Sequence, residues 1–208
     1  MHNELIIAIL AGLGGMLGWG LADFFAKKTI DKIGDTASLA WGHVFGTGFL
    51  LTVFLFLLLA NKQVDVPKDF RSWVLLLVFG VFQAIIYFLL YRGFGKGQLA
   101  VLSPVFASFS GLTAVLSIVV FREYLSGHVI IGLIILFIGI LLINTEIQAL
   151  RSMRFRITKI YGFKEVAIAT LLATFWTLFW GRFLGGRDWL SYTFFMYLFM
   201  TVTILIVT

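Results

Sequence analysis

Two neighbouring apolar segments of the chain carry side chains that could bind a solute by hydrogen bonds inside a membrane. Gln83 and Tyr87 lie four residues apart and share one helix face, with Gln83 near the middle of its charge-free segment. In the next segment Ser103 and Ser110 share a face, and Pro104 removes one backbone hydrogen bond. An amide or hydroxyl in hydrocarbon needs a partner, so we expect these residues to face a polar path within a helix bundle.

A purely structural interpretation of the same residues stays open. Serine and threonine in membrane helices often bond a carbonyl of their own preceding turn, and a proline can simply shape a bundle. Thr174, next to Trp176, lies on another polar helix face in a later segment. Polar groups near the middle of several different segments favour the path over the structural alternative.

The first apolar segment carries an intramembrane carboxyl. Trp19 and Asp23 share a face, and Lys27 lies one turn beyond Asp23. This order of charges predicts a structural ion pair between Asp23 and Lys27. The alternative is a carboxyl that faces the path and couples transport to protons. His43, among aromatic residues of the second segment, is interpreted as a satisfied or interfacial histidine rather than a ligand.

The elements that must position these side chains are membrane helices. The chain has 208 residues, of which 61% are hydrophobic and 12% charged, too apolar for a soluble domain of this size. Runs without Asp, Glu, Lys or Arg cover residues 5–22, 36–61, 72–91, 97–121, 124–145, 166–181 and 189–208. Since about 20 apolar residues cross a bilayer, we predict an all-α polytopic membrane helix bundle with seven transmembrane helices.

Rows of small residues predict close packing of some of these helices. Gly14 and Gly18 lie four residues apart in the first segment, Gly42 and Gly46 do so in the second, and Ala107 and Gly111 in the fourth. Small residues at this spacing let helix backbones approach each other in lipid. The rows predict a tight bundle and no further function.

Several function classes are excluded by what the sequence lacks. There is no cysteine, and the three histidines lie far apart without a carboxylate cluster, so no metal site and no cofactor are expected. No motif for a catalytic nucleophile or a phosphate loop is present, so an enzyme is not expected. The net charge of +6 is spread over several loops, which suits lipid headgroups rather than nucleic acid.

The longest connection divides the chain into unequal parts. Residues 146–163 form a basic linker loop between five predicted spans and two. We therefore predict a five-helix repeat over 1–145 and the first two helices of an incomplete second repeat over 164–208. The final segment Thr201–Thr208 lacks a polar flank, which predicts a C-terminally truncated chain. The alternative is a last span that just reaches the far interface.

Sequence motifs in both halves of the first repeat resemble the EamA family of the drug/metabolite transporter superfamily. The C-terminal part of the repeat carries the residues that resemble this family: Gly97, Leu102-Ser-Pro104-Val, Gly111, Arg122-Glu123, Gly132 and Gly139-Ile-Leu-Leu-Ile. The opening is similar in Leu17-Gly-Trp-Gly-Leu-Ala-Asp-Phe-Phe-Ala-Lys-Lys28. The likeness covers residues 5–145 as one unit and 164–208 as the beginning of a second.

The resemblance implies a transporter of ten helices in two inverted repeats, which moves small metabolites across the inner or plasma membrane by alternating access. In such proteins the first, third and fourth helices of each repeat line the substrate cavity. Carried onto this chain, that wall contains Trp19, Asp23, Gln83, Tyr87, Ser103, Pro104, Ser110, Thr174 and Trp176. The implied partners are the lipid bilayer and a small-molecule solute.

Two alternatives remain from the sequence. The chain could be a non-transporting accessory or scaffold protein with a closed bundle, or a homodimer in which each copy completes the other. The orientation in the membrane is also open. With seven spans, six Lys and Arg residues lie on the same side of the membrane as the N-terminus and ten on the opposite side. This count favours an outside N-terminus, whereas the family pattern places both termini inside.

Overall fold

The computed structural model of the chain describes residues 2–60, 62, 64–122, 126–143 and 160–208. All regular elements within these residues are helices, which confirms the predicted all-α fold. Glu123 and residues 146–159 of the predicted basic linker lie outside the described residues. The division into two repeats stays a prediction.

Eight helices make up the described part of the chain. They are α1 (His2–Ile33), α2 (Asp35–Leu59), α3 (Phe70–Lys96), α4 (Leu99–Ala107), α5 (Phe109–Phe121), α6 (Gly127–Ile143), α7 (Phe163–Leu184) and α8 (Trp189–Val207). Six spans are long and apolar enough to cross a membrane, with α4 and α5 together forming one of them. The 17 described residues of α6 coincide with the remaining predicted span, 124–145. The chain is therefore a polytopic membrane protein.

The helix boundaries follow from local chemistry. Gly34 has a φ of 88°, a left-handed conformation that glycine adopts without strain, and it separates α1 from α2. Asp69 accepts a hydrogen bond of 2.7 Å from the backbone N–H of Ser72 and so caps α3. Asp188 caps α8 in the same way through Ser191 at 3.0 Å. Two of the connections therefore use carboxylate caps at the start of a membrane helix.

The centre of the bundle is α3, which packs most extensively against α7 and α8. Gly80 permits the contact with α8, because a Cβ there would lie 2.8 Å from the Met196 carbonyl oxygen and 2.8 Å from the Phe199 Cβ. Near the other end of α3, Gly93 touches the start of α7 around Gly162. Glycines of α3 thus set its separation from the last two helices.

The glycine rows predicted from the sequence are not the ones that make the close contacts among described residues. A Cβ at Gly14, Gly18 or Gly46 would meet no described atom within 4 Å, and at Gly42 it would meet only the Tyr91 hydroxyl at 3.6 Å. The prediction of a tight interface at these rows is therefore wrong for the described part of the chain. The spacing of small residues identifies a face that permits close packing, and it does not identify a partner.

Candidate functional site

Asp23 joins α1 to α4 inside the bundle. Its Oδ2 atom accepts a hydrogen bond of 2.5 Å from the Oγ of Ser103. The predicted ion pair with Lys27 is wrong, because the Nζ of Lys27 binds Asp31 at 2.7 Å instead. Both acidic residues are one turn from Lys27, and Asp23 is half-buried whereas Asp31 is exposed. The Asp23 carboxyl is consequently available to the interior of the bundle.

The fourth predicted span is broken close to this carboxyl. Pro104 lies within α4, which ends at Ala107, and α5 begins at Phe109. A proline has no N–H, so the carbonyl four residues before Pro104 loses its helical donor. On the α5 side of the break, the ring of Trp19 meets Phe109 edge to face with centroids 5.4 Å apart. Helix α1 therefore contacts this span on both sides of the break.

A cluster of four rings lies where α2, α3 and α8 meet. It consists of His43, Tyr87, Tyr91 and Tyr197, and we call it the histidine–tyrosine cluster. The His43 centroid lies 5.1 Å from Tyr87, 6.4 Å from Tyr91 and 6.2 Å from Tyr197. His43 is only 6% exposed, so its ring is part of the interior.

The hydrogen bond that His43 makes determines which ring nitrogen carries a proton. Its Nδ1 lies 2.9 Å from the carbonyl oxygen of Leu39, which can only accept. The Nδ1 atom therefore donates, and in the neutral ring Nε2 is left as an acceptor. A buried acceptor beside three phenol rings is suited to a donor group of a solute.

Asp23 lies within electrostatic range of two tyrosines of the histidine–tyrosine cluster. The Asp23 carboxyl interacts through space with the phenols of Tyr87 and Tyr91. The hydroxyl of Tyr87 also interacts with that of Tyr197. A carboxyl, an imidazole and three phenols from α1, α2, α3 and α8 are thus brought together. A group of this kind offers both donors and acceptors to a polar ligand.

Gln83 lies one turn before Tyr87 on α3 and holds a buried polar atom that has no partner within the described part of the chain. Its Oε1 has no hydrogen bond to any described residue. Leaving such an acceptor unsatisfied costs about 1–3 kcal/mol. On the far side of His43, the hydroxyls of Thr47 and Thr201 bond each other at 2.7 Å and join α2 to α8. Polar atoms therefore continue along the interior beyond the rings.

A cavity of about 400 Å³ opens at the end of the bundle where α2 begins and α3 ends. Its lining residues are Asp35, Thr36, Leu39, Phe88, Leu89, Tyr91, Arg92 and Val207. Tyr91 belongs to the histidine–tyrosine cluster, and Leu39 supplies the carbonyl that His43 binds. The cavity therefore extends from the membrane edge to the outer side of the cluster.

The other predicted site residues make different contacts. Ser110 is exposed and donates to Ala107 in the preceding turn, at 3.0 Å. Thr174 is buried and donates to its own helix at Thr170, at 2.8 Å. The Nε1 of Trp176 donates to the carbonyl of Phe79 at 2.9 Å and so links α7 to α3. These contacts do not reach Asp23 or the cluster, and binding of a solute by these three residues stays a prediction.

The structure therefore places several of the residues predicted to line the substrate cavity close together. Asp23, Ser103 and Tyr87 lie in one group, and Trp19 and Pro104 flank it. His43, Tyr91 and Tyr197 also belong to this group, and they were not among the site residues predicted from the sequence. Tyr91 is spaced one turn from Tyr87, a signal that was visible. His43 and Tyr197 carry no local signal, because only the packing of α2 on α8 brings them to α3.

The chain was compared with protein families, with individual proteins and with solved structures. Residues 6–145 match the EamA-like transporter family. The chain is also 28% identical over 137 residues to an uncharacterized protein of Methanocaldococcus jannaschii. That match covers 66% of this chain and 96% of the relative. No solved structure matches the chain.

Proposed function

The chain belongs to the EamA-like transporter family, and on that basis we propose that it moves a small polar or amphipathic metabolite along a path past Asp23, Gln83 and the histidine–tyrosine cluster. Membership in this family supports a role in membrane transport rather than catalysis. The observation that carries the proposed path is the buried Oε1 of Gln83, which has no partner among the described residues. In a solute complex this atom accepts a hydrogen bond.

The chemistry of the site supports a solute with hydrogen-bond donors and a small apolar part. Gln83 and Asp23 accept, the phenol of Tyr87 donates or accepts, and the ring faces pack against carbon. Trp19 is 55% exposed and is suited to stacking at the margin of the path. Amino acids, sugars and organic cations all meet this description.

Alternating access would occur by movement of the first repeat, 1–145, against the second, which begins with residues 164–208. The family match ends at residue 145, which supports the proposed end of the first repeat at that residue. The archaeal relative is matched over 137 residues and almost its whole length, which supports a unit of this size. In this proposal α3 slides or tilts against α7 and α8, its main contacts.

Transport by the purified full-length protein in proteoliposomes tests the proposal. A panel of labelled amino acids, sugars and organic cations should contain at least one solute with saturable uptake. Gln83→Leu should reduce that uptake by about tenfold or more, because a buried acceptor for the solute is lost. Gln98→Leu, at an exposed amide before α4, is the matched control and should transport normally. Normal uptake by Gln83→Leu would contradict the assignment of this residue.

Cysteine accessibility separates a transporter from a closed accessory bundle. The chain has no cysteine, so a single cysteine at 83, 87 or 110 is a unique label site. We expect a membrane-impermeant maleimide to modify at least the cysteine at 83 or 87, because both positions should line a water-filled path. A cysteine at Ala84, which is 0% exposed, should stay unmodified. No modification at 83, 87 and 110 would favour a non-transporting scaffold protein.

A further inference from the structure

A second cavity, of about 510 Å³, lies at the opposite end of α3, between its first turns and the end of α7. Its lining residues are Asp69, Arg71, Ser72, Leu75, Phe79, Phe179, Arg182, Phe183 and Arg187. We propose that this cavity is a binding site for an anionic phospholipid, with the lipid phosphate at the three arginines and an acyl chain along the apolar wall. This site is distinct from the proposed solute path.

The rim of the cavity is strongly positive. Three guanidinium groups and one carboxylate leave two net positive charges in a small volume. The carboxylate is Asp69, whose two oxygens accept from the Oγ and the N–H of Ser72, each at 2.7 Å. These bonds, with a smaller contribution from Arg187, hold the pKa of Asp69 below its usual value. Asp69 is therefore occupied mainly in capping α3, its interaction with Arg187 is the weaker one, and the rim keeps its net positive charge.

The arginines keep most of their donors available for a ligand. The guanidinium of Arg187 lies 4.6 Å from the centroid of the Phe183 ring and donates to the carbonyl of Phe183. That of Arg182 lies 4.2 Å from the centroid of the Phe121 ring. Arg71 makes no hydrogen bond or ion pair with any described residue. The ring contacts hold two of the guanidinium groups in place, and apart from the Arg187 bond to Phe183 they leave the N–H edges, which bind phosphate, to a ligand.

The apolar wall continues from the arginines into the membrane. On α3, Leu75 and Phe79 follow Arg71 at intervals of one helical turn, which corresponds to a depth of about 12 Å. On α7, Phe179 lies one turn further into the membrane than Arg182, and it is 50% exposed. A wall with a cationic rim and an apolar floor matches the two chemically different parts of a phospholipid.

The position of the rim supports a lipid rather than a soluble anion. Arg71 is the second residue of α3, Arg182 lies in the last turn of α7, and Arg187 lies in the connection to α8. All three are therefore at one edge of the membrane, at the level of lipid headgroups. A soluble phosphate would use the same guanidinium groups but would gain nothing from Leu75, Phe79 and Phe179.

Native mass spectrometry of the detergent-solubilised chain tests the proposal. The protein is incubated with equal amounts of phosphatidylglycerol and phosphatidylcholine that carry the same acyl chains. We expect a single phosphatidylglycerol to be retained in preference to phosphatidylcholine. Arg71→Gln and Arg182→Gln should each reduce this preference about tenfold, because a charge-assisted contact with the phosphate is lost.

Lys68→Gln is the control, since it removes a positive charge close to Arg71 that does not line the cavity. It should leave the preference unchanged. A wild-type protein that binds both lipids equally, or an equal loss in Lys68→Gln, would overturn the proposal. Displacement of the bound lipid by millimolar inorganic phosphate would also overturn it, because the site would then recognise a free anion. The lipid-free variants should unfold at the wild-type temperature, which separates lost binding from lost structure.

Discussion

Asp23→Asn is expected to reduce the initial rate of solute transport by about 10- to 100-fold. The side chain keeps its shape, and its amide oxygen can still accept from Ser103, so the contact between α1 and α4 is retained. What is lost is the acidic group that faces Tyr87 and Tyr91. In the proposed complex the Asp23 carboxylate accepts a hydrogen bond from the solute. A hydrogen bond to a charged group is worth about 1.5–3 kcal/mol, which corresponds to a loss of this size. The measurement is uptake of the transported member of the solute panel into proteoliposomes.

The control for this substitution is Asp31→Asn on the same helix. Asp31 is exposed and pairs with Lys27, so the same change of charge is made away from the site. An exposed ion pair contributes little, and transport should stay close to the wild-type rate. Equal amounts of protein in the membrane must be shown for both variants. Wild-type transport by Asp23→Asn would mean that the carboxyl serves only as an acceptor for Ser103.

Gly80→Val is expected to destabilise the bundle by about 3 kcal/mol, at the upper end of the usual cost of overpacking. A Cβ at this position would already lie 2.8 Å from the carbonyl oxygen of Met196 and 2.9 Å from the backbone nitrogen of Met200. These are backbone atoms of α8, so the whole helix must move to accommodate a side chain. Thermal unfolding in detergent should shift downward by roughly 6–12 °C.

Gly46→Val is the matched control for this substitution. Gly46 also lies within a membrane helix, but a Cβ there meets no described atom within 4 Å. The same change of residue should therefore alter the unfolding temperature little. If both variants unfold at the same temperature as the wild type, α3 and α8 are not packed as closely as the structure has them. The pair of variants isolates packing from the intrinsic helix preference of valine.

The membrane helices could be predicted from the sequence because their formation is a local matter. Within hydrocarbon every backbone N–H and C=O must be paired, and a helix does this within one segment. The run 72–91 therefore predicted α3, although the helix extends from Phe70 to Lys96 beyond the charge-free part. The proline was also visible in the sequence, but the interruption between α4 and α5 lies at Ser108, one turn beyond Pro104. Family membership was predicted from motifs in the same segments and is confirmed over residues 6–145.

The partners of side chains could not be predicted in the same way. Lys27 has an acidic residue one turn away in each direction, and the sequence analysis chose Asp23. The structure pairs Lys27 with Asp31, and the Asp23 carboxyl instead accepts a hydrogen bond from Ser103 of another helix. His43 was interpreted as a satisfied or interfacial histidine, and it is satisfied by the Leu39 carbonyl. Its position among three tyrosines follows only from the packing of α2 against α8.

The sequence by itself determined that this protein spans a membrane by helices, where most of those helices lie and which family it belongs to. The tertiary structure alone decided that α3 is central, that Gly80 rather than Gly14 or Gly18 makes the close contact, and that Asp23 meets the histidine–tyrosine cluster. The physical reason is the solvent. In lipid, most faces of a helix are apolar whether they meet lipid or protein, so hydrophobicity does not distinguish the packed face from the exposed one. Packing, and the few polar groups that need partners, make that distinction only when the helices are assembled.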